Sequence, residues 1–287
     1  MILLRHGDWS CDLAPELGGA VATLRHAGVD VLRPLPAGAA DVLEAGSFPL
    51  VPFCNRIGQG RLPWAGQEYR LSTDVAAPLH ALHGHGWRRA WQVVRADPVS
   101  ATLALTHQGD AGWPWDYRVA QVFDLTDEGL SLTISVTSLA DEPMPMGIGI
   151  HPYFLRTPGS RVEAASGTRW ENDVTGLATH AVSDDRFAMG RAVAVDALEG
   201  LDHFFAAPDG ALPDSLDLAV EQPFGRVRIW ADQARGFHLF APAGLPYFCV
   251  EPVSHAPDAF GRGEVGAADI LAPGETRDWA FAIGLED

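Results

Sequence analysis

Leu130-Ser131-Leu132-Thr133-Ile134-Ser135-Val136-Thr137 alternates apolar and polar side chains throughout. A period of two over this length puts one face in a core and the other toward water, the mark of a half-buried strand. Just upstream, Arg118-Val119-Ala120-Gln121-Val122-Phe123-Asp124-Leu125 alternates in its first half. Between the two lies Thr126-Asp127-Glu128-Gly129, a Gly-containing connection of hairpin length. The pattern returns in Ser100–Thr106, in Gly225–Trp230 and, after an Ala272-Pro273-Gly274-Glu275 turn, in Asp278–Gly284. Many short strands separated by turn signals predict an all-β fold, a large antiparallel β-sandwich with few short helices. Asp41–Ala45 has the character of one helical turn, stopped by Gly46 and Pro49. No linker, low-complexity tract or internal repeat interrupts the pattern, so residues 1–287 are expected to form a single domain.

Composition narrows the function. The 287 residues are 47% hydrophobic, enough to bury a sizeable core, and Gly and Pro are scattered as turns require. The net charge of −17, from 20 Lys and Arg against 37 Asp and Glu, repels phosphate backbones and anionic lipid. Nucleic acid and membrane surfaces are therefore poor partners. No apolar run approaches the roughly 18–20 residues needed to cross a bilayer, and the first residues lack the pattern of a signal peptide. Cys11, Cys54 and Cys249 are odd in number and far apart, with no CxxC pair. Reduced thiols and a cytoplasmic location are expected, rather than a disulfide framework or a cysteine-based zinc site.

Five segments carry chemistry. In Phe48–Arg61, two prolines and two glycines place Asn55 and Arg56 on a loop or strand end. Their donors and acceptor suit a ring of hydroxyls, and an Arg closing a loop against a carbonyl accounts for them equally well. Leu79-His80-Ala81-Leu82-His83-Gly84-His85-Gly86-Trp87 packs three histidines around two glycines. Histidines two apart with no carboxylate nearby make a weak metal signature, so no metal is expected. His83 is read as a polar sugar contact or part of a structural loop, and Trp87 as a stacking surface or a packing residue. His151 follows an apolar run and precedes Pro152-Tyr153-Phe154, which presents it at a strand terminus. The alternative is a core histidine bonded to backbone. Asp202, among apolar neighbours in Leu201–Phe205, must be paired, as a ligand clamp or an anchor. Glu251 ends the apolar run Tyr247–Val250, and Pro252 is expected to interrupt the ladder just after it. A partly desolvated carboxylate there would serve as a general base; otherwise it faces solvent. GxSxG, P-loop and Rossmann fingerprints do not occur.

Taken in order, the segments resemble the aldose 1-epimerase (mutarotase) family. The matching pieces are Asn55-Arg56-Ile57 with Gly60-Arg61-Leu62, Leu82-His83-Gly84, His151-Pro152-Tyr153-Phe154, Leu201-Asp202-His203-Phe204 and Glu251-Pro252. Leu271–Thr276 is similar to the family's closing turn. The resemblance implies a galactose mutarotase-like supersandwich with an open cleft, no required cofactor, and interconversion of the α and β anomers of a small-molecule sugar. It implies Glu251 as general base, His151 as general acid and His83 as a second histidine near the ring oxygen. It also implies Arg56 and Asp202 as holders of sugar hydroxyls; Asn55, Trp87 and Tyr153 are expected as further substrate contacts. Such a mechanism needs protonated His151 beside ionised Glu251, a demand that pKa values near their references would meet. His85 and Pro152 depart from what galactose-specific members usually carry, and Trp113-Pro114-Trp115 replaces a Gly-containing turn, so the aldose is left open. A hexose-phosphate 1-epimerase, with Arg88, Arg89 and Arg156 as phosphate donors, and a non-catalytic sugar-binding module of the same fold are the rival readings. Monomer and homodimer are both compatible with the chain.

Overall fold

The computed structural model describes residues 1–207 and 215–286. The hairpin read from the alternating stretches forms as Tyr117–Thr126 against Gly129–Ser138, with Thr126 opposite Gly129 at the turn. It lies within a nine-stranded antiparallel sheet. The order is Gln92–Ala96, Ser100–His107, Tyr117–Thr126, Gly129–Ser138, Thr276–Glu286, Gly225–Asp232, Ser215–Gln222, Arg161–Glu163, Ala192–Ala194. All of the alternating segments named above fall on these strands. Their apolar faces, among them Phe123, Leu132, Ile134, Trp279 and Phe281, turn into one buried cluster.

The second sheet, eight strands also paired antiparallel, completes the sandwich. It runs Ala178–Ser183, Thr168–Asn172, Leu201–Ala206, Gly236–Ala241, Tyr247–Val253, Gly149–Ile150, Pro49–Leu50, with Tyr153–Leu155 also paired to Tyr247–Val253. Phe154, Phe205, Phe237, Leu239, Phe248 and Val250 join the shared core. Phe205 and Phe237 stack at 5.3 Å, and Phe187 meets Phe205 edge-on at 5.1 Å. The alternate residues Tyr153, Phe204, Phe240 and Cys249 pack instead with Phe48, Leu50 and Trp87 in a separate cluster. This sheet is therefore apolar on both faces, and its outer face is covered by loops that return across it. Polar side chains set into that covered face form the site described below.

The remaining structure is local. A four-stranded meander over Ile2–Asp30 packs against Ser100–His107 and Tyr117–Thr126. Among the described residues, helix is confined to 3-10 turns of three or four residues. Asp41 caps one of them, Val42–Glu44, by accepting the Leu43 N–H at 3.1 Å. Pro252 does not interrupt its ladder: the strand continues to Val253, with Pro252 opposite Phe237. The reason lies on the other side. The neighbouring chain breaks between Ile150 and Tyr153, so no ladder is required beside Glu251 and Pro252.

Candidate active site

Strand register builds the site. On one side of Tyr247–Val253, His238 pairs opposite Glu251. On the other, Gly149 pairs with Val253 and Tyr153 with Cys249, which places His151 at the position opposite Glu251. Residues opposite one another in an antiparallel sheet point to the same face. Phe204, His238, Glu251 and His151 thus form one row across the sheet, and Asp202, Phe240, Cys249 and Tyr153 form the next. Pro152 ends the short strand and frees His151 to lean toward its neighbour. His151 Nε2 lies 3.2 Å from Glu251 Oε1.

His83 comes from a different element. It follows the strand His80–Leu82 and takes a left-handed backbone, with φ +55°; Gly84 follows at +67°. A Cβ on Gly84 would sit 2.3 Å from the Val51 carbonyl oxygen, so only glycine fits. Asn55, also left-handed at +56°, exchanges two hydrogen bonds with His83. Its carbonyl accepts the His83 N–H at 2.8 Å, and its N–H donates to His83 Nδ1 at 3.0 Å. The second bond fixes His83 as the tautomer with its proton on Nε2. The His83 and His151 rings meet edge-on at 5.4 Å.

The depth of the site is graded. Glu251 is 1% exposed and both His83 and His151 are buried, while the Asp202 side chain is 33% exposed. Asp202 is held from two sides, by His238 Nε2 to Oδ1 at 2.5 Å and by an Arg56 nitrogen to Oδ2 at 3.2 Å. Among the described residues, Glu251 Oε2 and His151 Nδ1 are buried with no hydrogen-bond partner. Such atoms are costly unless a ligand or water meets them.

Burial dominates the proton affinities. Desolvation lifts Glu251 well above the ordinary carboxylate range; Asp202 adds to this and Arg56 opposes it. Desolvation lowers His151 well below the ordinary histidine value. His83 falls well below its ordinary value, through burial and then His151. For Asp202, burial pushes upward, but the His238 hydrogen bond and the Arg56 guanidinium outweigh it, and the carboxyl stays below its usual range. The expectation that reference-like pKa values serve the Glu–His pair is thus overturned: both groups are driven toward their neutral forms.

His83, His151 and Glu251 place ligand atoms within 4.8 Å of one another, a spread from which a metal site can be assembled. The tautomer argues against it. His83 Nδ1 is occupied by the Asn55 N–H, and the nitrogen left over carries the proton rather than a free lone pair.

Three further expectations change. Trp87 offers no face to a sugar: it is 0% exposed, stacks on Phe48 at 5.3 Å and carries the Arg88 guanidinium 3.7 Å from its ring. Its Nε1–H donates to the carbonyls of Leu82 and Gly84, so it braces the His83 turn from behind. Tyr153 is likewise buried and stacks on His151 at 4.7 Å, with Arg33 over its ring at 3.8 Å. Asn55 spends its side chain internally: Oδ1 accepts from the Arg56 N–H at 2.9 Å, and Nδ2 contacts His238 at 3.3 Å. His238 itself was missed. Its signal was the alternation in Gly236-Phe237-His238-Leu239-Phe240, which sets a polar ring on the Phe240 face.

Residues 1–284 match the family model for aldose 1-epimerase. This chain belongs to the aldose 1-epimerase family. The Escherichia coli K12 protein YphB, itself of uncharacterised function, is 31% identical over 296 aligned positions, covering 99% of this chain and 98% of YphB. A solved structure from E. coli K12, described as a candidate aldose 1-epimerase, superposes with a TM-score of 0.87 at 30% identity, covering 99% and 98% of the two chains. A galactose mutarotase-like protein from Clostridium acetobutylicum shares the fold, with a TM-score of 0.82 at 18% identity and coverage of 99% and 94%. The galactose mutarotase-like sandwich expected from the ordered segments is the observed architecture.

Proposed function

We propose that the protein is an enzyme, an aldose 1-epimerase that interconverts the anomers of a free, unphosphorylated aldose. The observation that carries this reading is the 3.2 Å contact between Glu251 Oε1 and His151 Nε2 at the buried end of the site. The two sugar oxygens that trade protons in mutarotation, the anomeric hydroxyl and the ring oxygen, are bonded to one carbon. Each group need reach only its own oxygen, at about 2.6–3.2 Å, so an acid and a base that serve both must lie within several ångströms of each other, as this pair does.

The pair needs one proton between its two members, and the reaction returns it. Glu251 takes the proton of the C1 hydroxyl while His151 gives one to the ring oxygen, and the ring C1–O bond breaks to give the open aldehyde. C1 turns about the C1–C2 bond, and closure on the other face reverses the transfers. Opening converts the pair from charged to neutral and closing restores it. Burial favours the neutral pair that accompanies the open chain, and mutual attraction at contact distance favours the charged pair that starts the step. His83, fixed with its proton on Nε2, supplies a hydrogen bond beside the ring oxygen. Arg56 and Asp202 hold hydroxyls at the exposed end.

A hexose phosphate fits less well. Arg88 is bound to Asp41 and Asp74, Arg89 to Asp110, and Arg156 to the Pro242 carbonyl, with Glu199 alongside. The three candidate phosphate donors are thus already engaged. Polarimetry of freshly dissolved α-glucose, α-galactose and L-arabinose, beside glucose 6-phosphate, tests the proposal. Faster relaxation of a free sugar to an unchanged final rotation supports it. Acceleration confined to the phosphate ester would replace the substrate class, and no acceleration with any of the four would leave a binding module.

A further inference from the structure

His238 belongs to none of the segments that marked the site, yet it touches two of them. It is buried in the same row as Glu251, directly opposite it, and bonded through Nε2 to Asp202 and through Nδ1 to Asn55. The orientation of the Asn55 amide is settled independently. Its Oδ1 accepts from the Arg56 main-chain N–H at 2.9 Å and from an Arg56 guanidinium nitrogen at 3.4 Å, so the NH₂ group faces His238. An amide nitrogen only donates, so His238 Nδ1 must accept, and the ring carries its proton on Nε2, toward Asp202. One asparagine thereby orders two site rings, His83 through its backbone and His238 through its side chain.

The consequence falls on Asp202. With Oδ1 tied to His238 and Oδ2 to Arg56, the carboxylate is held across the two, and its remaining lone pairs project from its exposed side. A carboxylate freed from His238 would turn to pair with Arg56 through both oxygens, the geometry Arg prefers, and would withdraw those lone pairs. We infer that His238 is a positioning residue for sugar recognition: it fixes the Asp202 carboxylate as a directed acceptor and so selects aldoses with a hydroxyl at that point. The inference rests on the proposed mutarotase reading.

Its test is a KM-against-kcat split measured by coupled anomer assay. His238→Leu is expected to raise KM for the preferred aldose at least about tenfold, the size of a lost charge-assisted hydrogen bond, while kcat changes only about twofold to threefold. His238→Gln keeps a donor for Asp202 and an acceptor for Asn55, and is expected to restore KM to near the wild-type value. In an Asp202→Asn background His238→Leu should add little. Across monodeoxy analogues of the aldose, its penalty should vanish for the one that lacks the hydroxyl read by Asp202. An unchanged KM in folded His238→Leu, or an equal KM penalty with and without the Asp202 carboxylate, would overturn the inference while leaving mutarotation standing. A wild-type protein that accelerates no anomer exchange would overturn the underlying reading and this inference with it.

Discussion

Replacing Glu251 with Gln should stabilise the protein, and increasingly so as pH rises. Glu251 is fully buried, and its affinity for a proton is raised in the folded state by desolvation and by the Asp202 charge. The unfolded chain releases this proton near pH 4.3, the ordinary Glu value. Above that pH the unfolded state binds fewer protons than the folded one, so stability falls as pH rises toward the folded-state pKa. The loss is about 1.4 kcal/mol for each pH unit inside that window. Gln has nothing to ionise, so the stability difference, variant minus wild type, should climb at that slope. For a chain of this size it corresponds to a difference in Tm that widens by about 3–6 °C per pH unit. The depressed His83 and His151 act oppositely, adding stability as pH rises to about 6.5. They remain in both proteins and largely cancel in the difference. Thermal unfolding followed by circular dichroism at constant ionic strength, from pH 5 to pH 8, measures it. A Tm difference that stays constant across this range would mean that Glu251 ionises as it does in the unfolded chain, and the account of a buried, proton-holding carboxylate would be wrong.

Other outcomes follow from the same geometry. Trp87→Phe removes the indole donor to the Leu82 and Gly84 carbonyls and is expected to cost about 1–3 kcal/mol, seen as a lower Tm, while KM stays within about twofold. A large rise in KM without loss of stability would instead make Trp87 a sugar contact. Gly84→Ala forces a side chain into the Val51 carbonyl at a left-handed position. It should lower Tm by at least about 5 °C and displace His83, with kcat/KM falling with it. Wild-type kcat/KM should favour glucose over glucose 6-phosphate by at least about tenfold, because the arginines suited to a phosphate are spent on carboxylates and a carbonyl.

The sheets were readable because alternation is a local signal: Ser131, Thr133 and Ser135 alternate with Leu132, Ile134 and Val136 whatever lies across from them. The hairpin turn and the Asp41 cap were readable for the same reason. Strand register is not local. Nothing in Gly236–Ala241 announces that His238 will lie opposite Glu251, because the pairing is decided by how two strands slide to bury Phe237, Leu239, Phe248 and Val250. The same blindness hid the roles of Trp87 and Tyr153. An aromatic beside a site histidine reads identically whether it faces a ligand or braces the histidine from behind. Proton affinities were out of reach as well, because burial comes from the loops that close over the outer face of the eight-stranded sheet. The segment order, by contrast, carried the family, since the site is assembled from residues far apart in sequence whose spacing the fold constrains.

The central claim is that Glu251 and His151 carry protons to and from a sugar. Its most direct test is magnetisation-transfer NMR of an equilibrium mixture of anomers, which reads the exchange rate with no change in composition. The account predicts exchange accelerated by wild-type protein and slowed by at least about 10²-fold in Glu251→Gln and in His151→Asn, with both variants folded. Near-wild-type exchange in folded Glu251→Gln would contradict it.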